Sequence, residues 1–304
     1  MQLTKTISLP GIKGRIDHLD INLKDQIAYI AALGSDAVEI IDLKSGKVLH
    51  SITGLDEPQG VGYIPLHNEI FIANGGNGDC YFYNATTFEK VATIHLKSDA
   101  DDVRYDSINR KIYVGYGSGG IAIISADTHT LIGDVELPTH PEGFQIDTKT
   151  RLLYVNLPGA NMIGVVDLKQ LKLINKWSRT IPTGNFPMAL NSAGDKLFIG
   201  YRHPAKLAVI DTKTEKQLSI NDITNDTDDL FFDEQSKRVY VSCGGGDINI
   251  FQLQGEDTYK QVANIPTRKG ARTSILVPHL NLFLVAEPSV FNHDGELMIY
   301  KIQK

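Results

Sequence analysis

Seven two-residue steps, six of them polar, recur along this chain at intervals of about 42 residues: Asp17-His18, Gln59-Gly60, Asp101-Asp102, Glu142-Gly143, Phe186-Pro187, Asp228-Asp229 and Arg272-Thr273. Carboxylates gathered with imidazole and guanidinium groups can hold a cation by charge, ligate a divalent metal, or exchange protons with a substrate. Bringing Asp17, Asp101, Asp102, Glu142, Asp228 and Asp229 to one place would raise their pKa values or demand a compensating cation, for which Arg272 and Arg202 are the right type. His18 shares a step with Asp17, and His140 stands two residues before Glu142, so these are the candidate bases. A turn needed only by the fold would repeat one residue type in every copy. These copies differ, and that inequality marks the position as a binding site. The local alternative is that the acids cap backbone amides at loop ends.

A second aligned set reads Ala32, Asn74, Tyr116, Leu157, Tyr201, Cys243 and Glu287. Here Tyr116 and Tyr201 are expected to wall a pocket, Glu287 adds an acid, and Arg202-His203-Pro204 follows at once. An arginine so placed suits a ligand carboxylate or phosphate through two parallel bonds. The glycine runs at 75–78, 117–120 and 244–246 precede no helix and no Lys-Ser/Thr pair, so they read as hairpin turns rather than phosphate cradles. Nine histidines show no close metal-ligand spacing, and no nucleophile elbow or Cys-His pair is visible. Cys243 reads as a packing residue.

The elements that position these residues are short strands. Aligning one aromatic-aliphatic pair gives Tyr29-Ile30, Phe71-Ile72, Tyr113-Val114, Tyr154-Val155, Phe198-Ile199, Tyr240-Val241 and Leu284-Val285, separated by 42, 42, 41, 44, 42 and 44 residues. The polar steps lie twelve residues before each aromatic or its equivalent. Seven units of strand-forming sequence with no helical period predict an all-β, seven-bladed β-propeller of four-stranded blades. The seventh unit has no fourth strand of its own, and the spare N-terminal strand Leu3 to Leu9 is expected to complete it. One domain over residues 3–302 follows, with the polar steps round a channel mouth.

Hydrophobic content of 42 % suffices for a large core, and a net charge of −6 without charge blocks argues against binding a phosphate backbone. No apolar run is long enough to span a bilayer. The start, MQLTKTISLPG, lacks the pattern of a signal peptide. Cys80 and Cys243 lie in different repeats and are not expected to pair.

The repeat, with Tyr-Val equivalents, glycine-rich turns and Ile-Asp strand ends, resembles the YVTN-type β-propeller repeat of YncE-like bacterial proteins. Glu57-Pro58-Gln59-Gly60-Val61, Asn185-Phe186-Pro187-Met188-Ala189-Leu190 and Gly270-Ala271-Arg272-Thr273-Ser274 carry the likeness to a subgroup with many exported members. That resemblance implies the fold, and a periplasmic or secreted location if a leader has been removed; the residues themselves leave the cytoplasm open. The functional expectation is a non-enzymatic binding or interaction protein. Its acidic channel face would take a small cationic ligand, a divalent cation or a partner protein through Asp17, His18, Gln59, Asp101, Asp102, His140, Glu142, Arg202, Asp228, Asp229, Arg272 and Glu287. The alternative is a metal-dependent lactonase-like hydrolase or streptogramin-lyase-like enzyme. In it Glu142, Asp228 or Asp229 would hold the ion and His18 or His140 would act as base.

Overall fold

A computed structural model describes residues 1–178, 180–291 and 293–303. β-branched and aromatic residues alternate with small or polar ones over four to eight positions and then meet a turn, so the chain folds into strands joined by hairpins. They form seven four-stranded antiparallel sheets. Six take four consecutive strands each; blade three, for example, is Ala100–Asp106, Lys111–Tyr116, Gly120–Ser125 and Thr130–Glu136. The seventh joins Thr273–Val277, Leu282–Glu287 and Gly295–Lys301 to the N-terminal strand Gln2–Leu9, which supplies the missing fourth strand. The fold is an all-β seven-bladed β-propeller, its last blade closed by that strand.

The chain divides into two compact units. One is built mainly of Lys5–Pro141 with Pro288–Leu297, the other mainly of Glu142–Glu287 with parts of both termini. In the first, Phe71 and Phe82 of blade two meet edge to face at 5.0 Å and pack with Ile112, Val114 and Ile124 of blade three. In the second, Tyr154 and Trp177 of blade four pack with Leu197, Ile199 and Tyr201 of blade five. Each fully buried large side chain contributes about 2 kcal/mol, so the second strand of each blade, buried along its length, anchors its sheet.

Two bulges recur within the sheets. In the outer strand, one residue is left unpaired in each of blades one to six: Leu49, Val91, Ile132, Ile174, Leu218 and Val262. Such a bulge bends an exposed edge and spoils it as a template for another chain. In the first strand the register shifts at Pro58/Gly60, Ala100/Val103, Asn185/Met188 and Thr227/Asp229. Those shifts fall on Gln59, Asp101-Asp102, Phe186-Pro187 and Asp228, the polar steps themselves. An extra residue re-aims the side chains around it.

Candidate functional site

In the unit built mainly of Lys5–Pro141, six of the sequence-derived residues come together. His18 is the centre: its Nε2 stands 3.9 Å from Asp17 Oδ1, 3.9 Å from Asp101 Oδ1 and 3.8 Å from Asp102 Oδ1. Its backbone is pinned on both sides, the N–H donating to the Gln59 carbonyl at 3.2 Å and the carbonyl accepting from Ala31 at 3.0 Å. Asp17 is fully buried and ion-paired with Arg15 Nη2 at 2.7 Å, so it shapes the site from beneath. Asp102 pairs with Arg104 Nη1 at 2.5 Å.

His140 closes the other side. Its Nδ1 lies 2.6 Å from the Gly117 carbonyl, to which it donates, and 3.4 Å from Asp99 Oδ2, while Nε2 lies 3.8 Å from Asp101 Oδ2. Gln59 Nε2 donates to Asp99 at 3.0 Å. Burial opposes charge on His140, but Asp101, the Gly117 carbonyl and Asp99 outweigh it and raise its pKa to about 9. Burial likewise disfavours ionised Asp101, yet His140, His18 and Arg15 hold it below the ordinary carboxylate range. At neutral pH this pair is a fixed imidazolium and a fixed carboxylate.

A pH dependence follows from this pair. The folded state binds the His140 proton more tightly than the unfolded chain, whose imidazole titrates near 6.5. The stabilisation is therefore complete below pH 6.5 and lost as pH rises from 6.5 through 9. Discounted for partial exposure, it amounts to about 1–2 kcal/mol. Melting curves from pH 6 to 10 should show that loss in the parent protein and not in His140→Gln; parallel curves would refute it.

In the unit built mainly of Glu142–Glu287 the polar residues fall into smaller sets. Arg202 lies on the Phe186 ring, 3.4 Å from its centroid. Its Nε donates to the Thr227 carbonyl at 2.9 Å and its Nη2 to Asp228 Oδ1 at 2.7 Å. Arg272 places Nε 3.0 Å from Asp228 Oδ2 and donates from Nη1 to both oxygens of Asp226 at 2.9 and 3.2 Å. The two guanidiniums thus compensate two carboxylates, Asp226 and Asp228, of which only Asp228 belongs to the set aligned in the sequence. Asp229 is buried against the next blade, where its Oδ2 accepts from the Ser274 N–H at 2.7 Å. Glu287 is buried and engaged by Arg268, through its backbone N–H at 3.0 Å and Nε at 3.5 Å. The Glu142 backbone N–H donates to the Asn156 carbonyl at 3.0 Å.

One expectation needs correction, and a second holds but says too little. Tyr116 and Tyr201 are buried in the core rather than set at a channel mouth, and the Tyr116 hydroxyl donates to Asp134 at 2.8 Å. They sit on the second strand, whose side chains are buried on both faces. The glycine run at 244–246 is more than a turn, because a Cβ on Gly244 would stand 2.1 Å from Asp226 Oδ2. Gly244 leaves the space in which Asp226 reaches Arg272. Cys243 is a packing residue as expected, its thiol pushed up to about 12 by burial.

Arg15, Asp99, Arg104 and Asp226 escaped the sequence reading. For two of them a signal exists: Arg15 precedes Asp17 by two residues and Arg104 follows Asp102 by two, the spacing that puts neighbours on one face of a strand. Among the described residues, no three His, Cys, Asp or Glu side chains are grouped as metal ligands. Among the described residues, too, no helix is long and apolar enough to cross a membrane.

Comparison with known proteins agrees with the class that the fold defines. A chain in a crystal structure of a mitotic checkpoint complex superposes with a TM-score of 0.82 at 15 % identity, covering 100 % of this chain and 92 % of that one. Hydrazine synthase of Kuenenia stuttgartiensis superposes with a TM-score of 0.81 at 14 % identity, covering 97 % and 99 %. At such identities the likeness is one of fold. Antigen Lp49 of Leptospira interrogans is 21 % identical over 231 residues, which span 71 % of this chain and 50 % of that protein, so the match reaches only half the relative's length. No family model matches the chain.

Proposed function

We propose that this chain is a non-enzymatic binding propeller whose carboxylates, at the approach to the first strands, take a small cation or a basic side chain of a partner protein. The observation that carries the reading is the Asp101–His140 contact, Nε2 to Oδ2 at 3.8 Å, where the His140 pKa is raised to about 9 and that of Asp101 is lowered. General acid-base catalysis needs a group that titrates near the working pH, whereas recognition of charge is served by groups that do not. His140, His18 and Arg15 hold Asp101 ionised against its burial. One structural neighbour belongs to a checkpoint complex, which supports a partner protein as the ligand. The YVTN-type resemblance, the single domain over residues 3–302 and the exported location are parts of the same proposal.

The metal-dependent hydrolase or lyase rests on analogy of fold. Two of the ligands it would use are already engaged, Asp228 by Arg202 and Arg272 and Asp229 by the Ser274 N–H. One experiment tests both readings: native mass spectrometry for bound metal, with thermal shift over Mg²⁺, Ca²⁺, Zn²⁺, spermidine and a tetralysine peptide. The parent protein should be stabilised by an organic cation or the peptide, and Asp101→Asn should lose at least half of that shift. A tightly bound metal lost in Glu142→Ala or Asp228→Ala would favour the enzyme, and no response to any cation would overturn the binding reading.

A further inference from the structure

The arginine pair of the second unit goes beyond that reading, because its preference is for negative charge. Arg202 and Arg272 are held side by side by Asp228, which bonds Arg202 Nη2 at 2.7 Å and stands 3.0 Å from Arg272 Nε. The Phe186 ring beneath Arg202 and the Thr227 carbonyl at its Nε fix the plane of that guanidinium. Asp228 is 10 % exposed and functions as the permanent strut. Asp226 differs. Its side chain is 37 % exposed, it meets Nη1 of Arg272 with both oxygens, and its Oδ1 stands 3.8 Å from Arg202 Nη2. It occupies the place where a carboxylate arriving from solvent would engage both arginines.

We propose that Arg202 and Arg272 form a carboxylate-binding clamp, with Asp226 as its occupant in the unliganded protein and a ligand carboxylate displacing it. The chemistry fits the group. A guanidinium offers parallel N–H donors spaced for two carboxylate oxygens, and Asp226 takes up only Nη1 of Arg272, which both of its oxygens share. Two arginines with Asp226 and Asp228 balance in charge, so exchanging one carboxylate for another leaves the balance intact. Asp226 is open to solvent, and its carboxylate fills the space that a Cβ on Gly244 would take. Phe186, partly exposed beside Arg202, offers the stem of an acidic side chain or the chain of a dicarboxylic acid an apolar surface.

The test titrates the full chain with succinate, a tetraglutamate peptide, its uncharged tetraglutamine counterpart and inorganic phosphate, by calorimetry at low ionic strength. Asp226→Asn removes the competing charge at nearly constant shape and should bind a carboxylate about tenfold more tightly than the parent protein, the size of one charge-assisted hydrogen bond. Adding Arg272→Gln to that variant should abolish the gain. Asp226→Ser is the second variant should the asparagine disturb the loop, and melting curves confirm folding of each. Binding of succinate and peptide alike would identify a small dicarboxylic acid, and binding of the peptide alone an acidic segment of a partner; either supports the clamp. It is overturned if neither Asp226 variant binds a carboxylate more tightly than the parent, if Arg272→Gln leaves the gain in place, or if phosphate or tetraglutamine is preferred.

Discussion

Deletion of Met1–Leu9 is expected to leave a chain that aggregates, or that melts at least about 10 °C below the parent protein. The strand Gln2–Leu9 is the fourth strand of the last blade, hydrogen-bonded along Gly295–Lys301. Its loss uncovers that neighbour's edge and removes Ile7 and Leu9, 3 % and 0 % exposed, from the core. Burying two such side chains contributes about 4 kcal/mol, a large part of the 5–15 kcal/mol that stabilises a typical domain. The Thr4 hydroxyl bond to the Ile299 carbonyl and the Lys5 ammonium bonds to the Leu43 and Lys44 carbonyls go with it. Supplying the nine residues as a synthetic peptide should restore part of the melting temperature, because the partner edge is intact. An unchanged melt in the truncated chain would mean that the seventh sheet stands on three strands.

Gly60→Ala is expected to destabilise the protein by about 3 kcal/mol or more, an exceptional figure for the gain of one methyl group. A Cβ at this position would lie 2.1 Å from the Asp101 carbonyl oxygen and 2.5 Å from Val103 Cγ2, so a backbone of the next blade must move. The control lies two residues on: a Cβ on Gly62 would meet Val103 Cγ1 at 3.3 Å, and Gly62→Ala should cost less than about 1 kcal/mol. Denaturant unfolding of the two variants gives the comparison. Because the obstructed atom belongs to Asp101, Gly60→Ala should also bring the His140 pKa down from about 9 towards 6.5, readable by NMR titration of the imidazole. Equal stability losses at Gly60 and Gly62 would refute the close approach, and an unmoved His140 would uncouple it from the site.

These two cases show which parts of the protein the order of residues reveals. The spare strand near the N-terminus could be found by counting, since seven copies of a four-strand unit were one strand short at the end and one long at the start. The obstruction at Gly60 could not be read, because nothing about a glycine beside Gln59 says that residue 101 will pass within van der Waals distance.

Periodicity, alternation and turn residues by themselves determined the all-β class, the seven blades, most strand positions and the slots in which the blades differ. These are local quantities: they depend on which side chains neighbour each other along about forty residues. Which of the slot residues meet was decided by tertiary structure. Bulges at Asp101-Asp102 and Asp228 set where those carboxylates point. Asp229 turned inward to cap Ser274, 45 residues away, while Asp228 next to it met two arginines. Asp17 was sealed under Arg15, and Asp226, outside every aligned slot, became the carboxylate that both guanidiniums reach. The physical reason is range: hydrogen bonds and ion pairs are decided within 3–4 Å, and such distances between residues of neighbouring blades exist only once the sheets have packed.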